Sequence, residues 1–279
     1  MANVVIGAGS GMGMAVARAL APRGPLVIAD HRRESVEALA SDLGGDVTPI
    51  TCDITDQAQV DALMGQIQDL DTLVITAGIS GSMGTGRQIF EVNLIGTAWV
   101  LRAAEHLLRP GTVAVCFASM SGHRVPESPG LMAVLDDPLA EDFFGSLVEL
   151  GLNPDAPPFA YPVSKRGVQR LARNLCSAWG ARGARILSVS PGINDTPMNR
   201  LDESRHPIMA DIIRNSPLGR RGRPEEVANV VDFLTSDRAS FMTGSDVLVD
   251  GGMVATIPED STGGRTQTGS IVSSTTLRN

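Results

Sequence analysis

The sequence predicts an α/β protein: one Rossmann-fold domain with a seven-stranded parallel sheet and helices on both faces. Three observations lead there. Seven short β-branched runs recur along the 279 residues. Each is a continuous apolar stretch rather than an alternating one, as parallel strands covered on both faces require. The first run passes directly into a glycine-rich turn and a helix, the order in which doubly wound sheets begin.

The strand candidates, in order, are Asn3–Ile6, Pro25–Ala29, Val47–Ile50, Thr72–Thr76, Thr112–Ala118, Arg185–Ser190 and Asp246–Asp250. Amphipathic segments separate them. Val36, Leu39, Ala40 and Leu43 fall at helical spacing, as do Val60, Leu63, Met64 and Ile67. Pro224 opens a later helix that continues through Val227, Val230, Val231 and Leu234. Two stretches break the rhythm. His123–Pro158 is proline-rich and too long for an ordinary strand-to-helix connection. Within it, Pro138–Leu150 is expected to form a short helix that aligns Leu139, Phe143 and Leu147. Residues 259–279, rich in Ser, Thr and Gly, are expected to be a flexible tail behind a catalytic domain over 1–258.

Composition narrows the function classes. With 19% charged and 43% apolar residues, neither a disordered chain nor a membrane protein is expected. A formal net charge of −8 argues against nucleic acid or an anionic membrane as partner. The first residues lack the basic region and long apolar run of a signal peptide, so a cytoplasmic location is expected. Cys52, Cys116 and Cys176 form no CxxC pair, and His31, His106, His123 and His206 show no ligand spacing. The thiols are therefore expected to be reduced, and no metal site is expected.

The first strand ends in Gly7-Ala8-Gly9-Ser10-Gly11-Met12-Gly13. The spacing is GxxxGxG, through Gly7, Gly11 and Gly13. Such a turn lets the backbone, here with Ser10 and Met12, approach a pyrophosphate at the N-terminus of the following helix. Asp30 closes the second strand, where a carboxylate accepts from the adenosine ribose hydroxyls and repels a 2′-phosphate. That favours NAD over NADP, although Arg32 and Arg33 follow and could hold the phosphate. Asp53, with Ile54 after it, follows the third strand at a place where a carboxylate could accept from the adenine amino group.

Further along, Tyr161-Pro162-Val163-Ser164-Lys165 opens a helix that continues through Val168, Leu171, Ala172 and Leu175. Residues four apart share a helix face, so the phenol and the ammonium are expected side by side. The ammonium is expected to lower the phenol's pKa. Tyr161 is the chain's only tyrosine. A YxxxK spacing by itself is common; its weight comes from its company.

With that company the chain resembles the short-chain dehydrogenase/reductases, in their shorter, non-extended branch, over about Asn3–Gly252. The matching landmarks are the three glycines, Asp53, Thr76-Ala77-Gly78, Asn93, Ser119, Tyr161, Lys165, Pro191-Gly192, Thr196 and Asp250-Gly251-Gly252. The resemblance implies that Tyr161 is the acid/base and that Ser119 hydrogen-bonds the reacting oxygen. Lys165 would contact the nicotinamide ribose, and Asn93 would hold a water linking Lys165 to solvent. Ala77 and Gly78 would flank the cofactor, while Pro191, Gly192, Ile193 and Thr196 would orient the nicotinamide carboxamide. Taken singly, Asn93 could be an ordinary helix residue, and Ser119 a strand-end cap with Ser121 competing for its role.

There are departures from the pattern. Ile75-Thr76 stands where the family has two asparagines, Ile6 replaces a threonine, and the segment from Gly78 to Asn93 is short. The stretch from Ser119 to Tyr161 is long. Together these resemble the layout of bacterial 3α-hydroxysteroid dehydrogenase/carbonyl reductase. The insertion at 123–158 is expected either to roof the site, through Leu131, Met132, Phe143, Phe144 and Leu147, or to be a surface element. The resemblance implies a hydrophobic, steroid-like alcohol or ketone as substrate and a homodimer or homotetramer as the assembly. A catalytically silent dinucleotide-sensing regulator is the reading from another class; the intact Asn93, Ser119, Tyr161 and Lys165 set disfavours it. An enoyl reductase fits the Tyr–Lys spacing poorly.

Overall fold

A computed structural model describes residues 1–256. Its seven strands are β1 (Ala2–Ile6), β2 (Leu26–Asp30), β3 (Val47–Thr51), β4 (Leu70–Ile75), β5 (Val113–Phe117), β6 (Arg185–Pro191) and β7 (Asp246–Val249). All pair in parallel, in the order β3-β2-β1-β4-β5-β6-β7. The strand order reverses between β1 and β4, and a crevice opens there at the carboxyl ends of the strands. The sequence placed each strand to within two residues, because β-branched runs between glycine, proline and aspartate leave little freedom.

Two apolar layers sandwich the sheet. On one face α1 (Gly11–Leu20), α2 (Arg33–Leu43) and α11 (Pro224–Leu234) cover Val5, Ile28, Val74 and Val115. On the other, α3 (Gln57–Met64), α5 (Gly96–Ala104) and α8 (Pro157–Gly180) cover Val4, Leu73, Ala114 and Ile186. Between β4 and α5 the chain forms only the five-residue α4 (Gly86–Phe90) and a π-helical turn, Glu91–Ile95. Thr85 starts α4 with a reciprocal capping box to Gln88. After β6 come α9 (Pro197–Arg205) and α10 (Ile208–Asn215).

The insertion differs from expectation. It holds two helices, α6 (Pro129–Asp136) and α7 (Phe143–Glu149), rather than one over Pro138–Leu150. Ser128-Pro129 is the start signal that the sequence reading passed over. Nor do the insertion's apolar residues form a roof. Met132, Phe143 and Leu147 are buried in the core, and Phe143 and Phe144 meet Phe90 edge-on at 5.6 and 6.1 Å. Arg87 stacks over Phe144 at 4.6 Å. Asp136 accepts from Arg170 and Asn174, and Glu127 pairs with Arg166, which straps the insertion along α8. Its apolar stripe has packed on the nearest apolar partners, Phe90 and α8. The expected tail, 259–279, lies outside the described residues. Among the described residues no helix is long and apolar enough to cross a membrane, and no three metal-type side chains gather.

Candidate active site

The glycine turn after β1 is shaped by close approach. Gly7 has φ of +89°, and a Cβ there would lie 2.4 Å from the Ala77 nitrogen. A Cβ on Gly13 would lie 2.1 Å from the Gly7 carbonyl oxygen, so α1 can press onto the turn only with glycine there. Thr76 replaces the family's asparagine and works as a strap: its hydroxyl donates to the Ile6 carbonyl at 2.9 Å. Ser10 precedes α1 without a side-chain cap, and no acid stands in the first turn. The leading N–H groups of a ten-residue helix are thus left for an external anion.

These groups border a cleft of about 720 Å³. Its wall contains Gly7, Ser10, Gly11, Met12, Gly13, Asp30, Asp53, Ile54, Ala77, Gly78 and Thr196, all of them predicted from the sequence. Arg32, which the sequence offered as a holder of a 2′-phosphate, also lines it, and His31, Met198 and Leu201 join without a sequence signal of their own. Asp30 is buried, and its Oδ2 accepts the Gly9 N–H at 2.9 Å. Its Oδ1 accepts from the Arg32 N–H at 3.0 Å, with His31 and the Arg32 side chain alongside. Asp53 faces the cleft with its Oδ1 bound to the Thr55 N–H and hydroxyl. An uncapped helix N-terminus at one point and two carboxylates on the wall fit a nicotinamide dinucleotide in chemistry and extent.

Pro191, Gly192 and Ile193 do not line the cleft; of that segment only Thr196 does. A Cβ on Gly192 would lie 2.7 Å from the Asp250 Cα, so this glycine serves strand packing. Ile193 is buried with Ile213 and Met253, and Met120 and Met209 pack against that cluster.

Asn93, Ser119, Tyr161 and Lys165 gather behind the wall. A Cβ on Gly78 would stand 3.0 Å from Asn93 Oδ1 and 3.1 Å from Lys165 Nζ. Asn93 is fully buried in the π-turn. Its Oδ1 accepts the Ile79 N–H at 2.8 Å, and its Nδ2 donates to the Ile79 carbonyl and to Ser164 Oγ. The side chain is therefore fully engaged, and its carbonyl accepts from Thr97 Oγ1 at 2.9 Å. Ser164 donates onward to the Tyr161 carbonyl at 2.9 Å. At the end of β5, Ser119 Oγ accepts from the Ser121 N–H and the Ser121 hydroxyl, at 3.2 and 3.1 Å. That leaves the Ser119 proton free to donate, and Ser121 serves Ser119 rather than replacing it.

One expectation is corrected. The phenol's pKa lies above its ordinary value rather than below it. The Lys165 ammonium donates to the Phe117 carbonyl at 2.9 Å, and burial pushes its own pKa down to about 8. Tyr161 is pushed above its ordinary value, chiefly by burial and further by Asp202, while a hydrogen bond from Ser119 works in the opposite direction. The four-residue spacing fixes the shared helix face; the nearest acceptor decides where a long lysine points.

A family model described as "short chain dehydrogenase" matches residues 2–129, and one described as "Enoyl-(Acyl carrier protein) reductase" matches 145–254. The short-chain dehydrogenase/reductase bsc3 of Alternaria brassicicola is 33% identical over 271 residues, covering 92% of this chain and 97% of that protein. The chain belongs to the short-chain dehydrogenase/reductase family. Another family relative, the cis-4-hydroxycyclohexanecarboxylate dehydrogenase of Sinomonas cyclohexanicum, is 32% identical over 90% of this chain and 96% of its own length. A solved short-chain dehydrogenase/reductase family protein superposes with a TM-score of 0.72 at 29% identity, covering 92% of this chain and 98% of its own. By that membership the protein is an oxidoreductase of a family that works with nicotinamide dinucleotides.

Proposed function

We propose that the protein transfers hydride between NAD(H) and a secondary alcohol or its ketone, with Tyr161 as acid and base. The observation that carries this is the cluster of buried Asn93, Ser119 and Lys165 with half-buried Tyr161, directly behind the cleft wall at Gly78. The dinucleotide, when bound, supplies the hydride. The chain's residues do the rest. Ser119, its lone pairs occupied by Ser121, presents its proton to the reacting oxygen beside the phenol. Tyr161, held protonated by burial, gives its proton in the reducing direction. Lys165 lies within the same group to share the proton, and Asn93 ties that group to Ile79 and Ser164.

Asp30 supports NAD over NADP. Its carboxylate is built into the glycine turn, and Arg32, the nearest candidate for a 2′-phosphate, lies 3.5 Å from it. A bulky hydrophobic, steroid-like substrate is supported by Met198 and Leu201 on the cleft wall, and by the methionine-rich cluster of Met120 and Met209 next to Ser119. The relative that oxidises a hydroxycyclohexane acid also turns over a ring-borne secondary alcohol.

The test is turnover with NADH and NADPH across steroids, quinones and small ketones, repeated on Tyr161→Phe. The variant should lose about 10²–10⁴-fold in kcat while binding NADH normally, and NADH should be the better cofactor. Near-normal turnover by the variant overturns the mechanism. NADH binding with no turnover of any carbonyl would favour a dinucleotide-sensing role instead.

A further inference from the structure

On the outer side of α8, where the insertion crosses it, lies a second groove of about 610 Å³. That falls within the roughly 300–1,000 Å³ typical of small-molecule pockets. It shares no residue with the dinucleotide cleft. Val125 and Leu131 of the insertion form one wall; Phe159 and Val163 of α8 form the other. Elsewhere the insertion buries its apolar side chains against α8 and Phe90. Here the two surfaces stand apart and leave a trough.

Arg124 is the only charged residue of this lining. Three neighbouring side chains are already engaged with carboxylates. His123 lies 2.7 Å from Asp246, Arg166 pairs with Glu127, and Arg170 pairs with Asp136. Among the described residues Arg124 alone of these has no carboxylate, in a chain with 31 acidic residues against 23 lysines and arginines. A guanidinium left free at the edge of an apolar trough suits a carboxylate, which it grips with two parallel hydrogen bonds. Ser121 and Ser128 add hydroxyls to the same lining.

We propose that this groove is a second ligand site, for an apolar carboxylic acid. Its carboxylate would sit on Arg124 and its hydrocarbon would run between Leu131, Phe159 and Val163. A neutral molecule of the same length would keep the hydrophobic contact and lose the ionic one, and an amine would be repelled. One lining residue touches the catalytic set: Ser121 donates to Ser119.

Calorimetric titration of the full chain with decanoate, decanol and decylammonium, with and without saturating NADH, tests this. Decanoate should bind saturably and about tenfold more tightly than decanol, the worth of one charged hydrogen-bonded contact. Arg124→Gln, a change at an exposed side chain, should abolish that advantage and leave decanol binding as it was. NADH should not displace the acid. Equal binding of the three compounds, or decanoate preference surviving in Arg124→Gln, would overturn the proposal. So would displacement of decanoate by NADH, which would put it in the cleft, or failure of decanoate to saturate.

Discussion

Lys165 is buried and Tyr161 half-buried, and desolvation acts on them in opposite directions. It raises the phenol and lowers the ammonium to about 8, so each residue is held toward its neutral form. Because Tyr161 is the only tyrosine, the phenolate absorbance of the cofactor-free protein reads a single group. Its midpoint should lie above that of a free tyrosine; substantial phenolate at neutral pH would contradict the burial argument. Lys165 carries a stability cost. Below about pH 8 the folded state must hold a buried ammonium, and the whole cost applies. Between about 8 and 10.5 the unfolded chain binds more protons than the folded one, so stability gains from this group as pH rises. At pH 7 Lys165→Met should therefore stabilise the protein by roughly 1–3 kcal/mol in urea unfolding, after the lost bond to Phe117 is allowed for, while abolishing turnover. A less stable variant would show that the ammonium is better solvated than its burial implies. None of this is visible in a YxxxK spacing, which sets a helix face but not what lies around it.

Among the elements, the glycine turn and the insertion stand at opposite ends of legibility. The turn could be read in full because its glycines answer to close approaches of the backbone, at Gly7 and Gly13, that any chain making this strand–turn–helix must satisfy. Asp30 was likewise readable as a strand-end carboxylate. Its hydrogen bond to the Gly9 N–H was not, since that depends on how the turn folds back over β2. The insertion was readable only as an anomaly. Its apolar side chains have helical spacing, but spacing does not say whether the partner is a substrate or a helix. Phe143, packed edge-on against Phe90 and Phe144, answers for the core. Phe143→Ala should cost about 3–5 kcal/mol by chemical denaturation and leave KM unchanged for every substrate the protein accepts. A raised KM with little loss of stability would restore the roof over the site.

At the scale of the molecule, the sheet ends at β7, whose outer edge is unpaired among the described residues. Phe241, in the turn leading to β7, is fully exposed, and Leu248 on β7 and Phe233 on α11 are partly so. An open edge flanked by apolar side chains is a surface that a second copy covers well. A homodimer or homotetramer is therefore the expected state by sedimentation, and Phe241→Glu should shift it toward smaller species. A monomer at micromolar concentration would exclude it.

What the sequence by itself determined is whatever repeats or is sterically forced: seven parallel strands, the glycine turn, and a tyrosine and a lysine on one helix face. Local periodicity and backbone sterics act over a few residues, and those are on the page when the letters are. Only the tertiary structure decided where Lys165 points, that Ser121 serves Ser119, that Asn93 spends its amide on Ile79, and that the insertion lies along α8 with Arg124 beside an apolar groove. Each of those is a choice among partners far apart in the chain. Burial and competition for hydrogen bonds settle such choices, and neither exists until the chain has closed on itself.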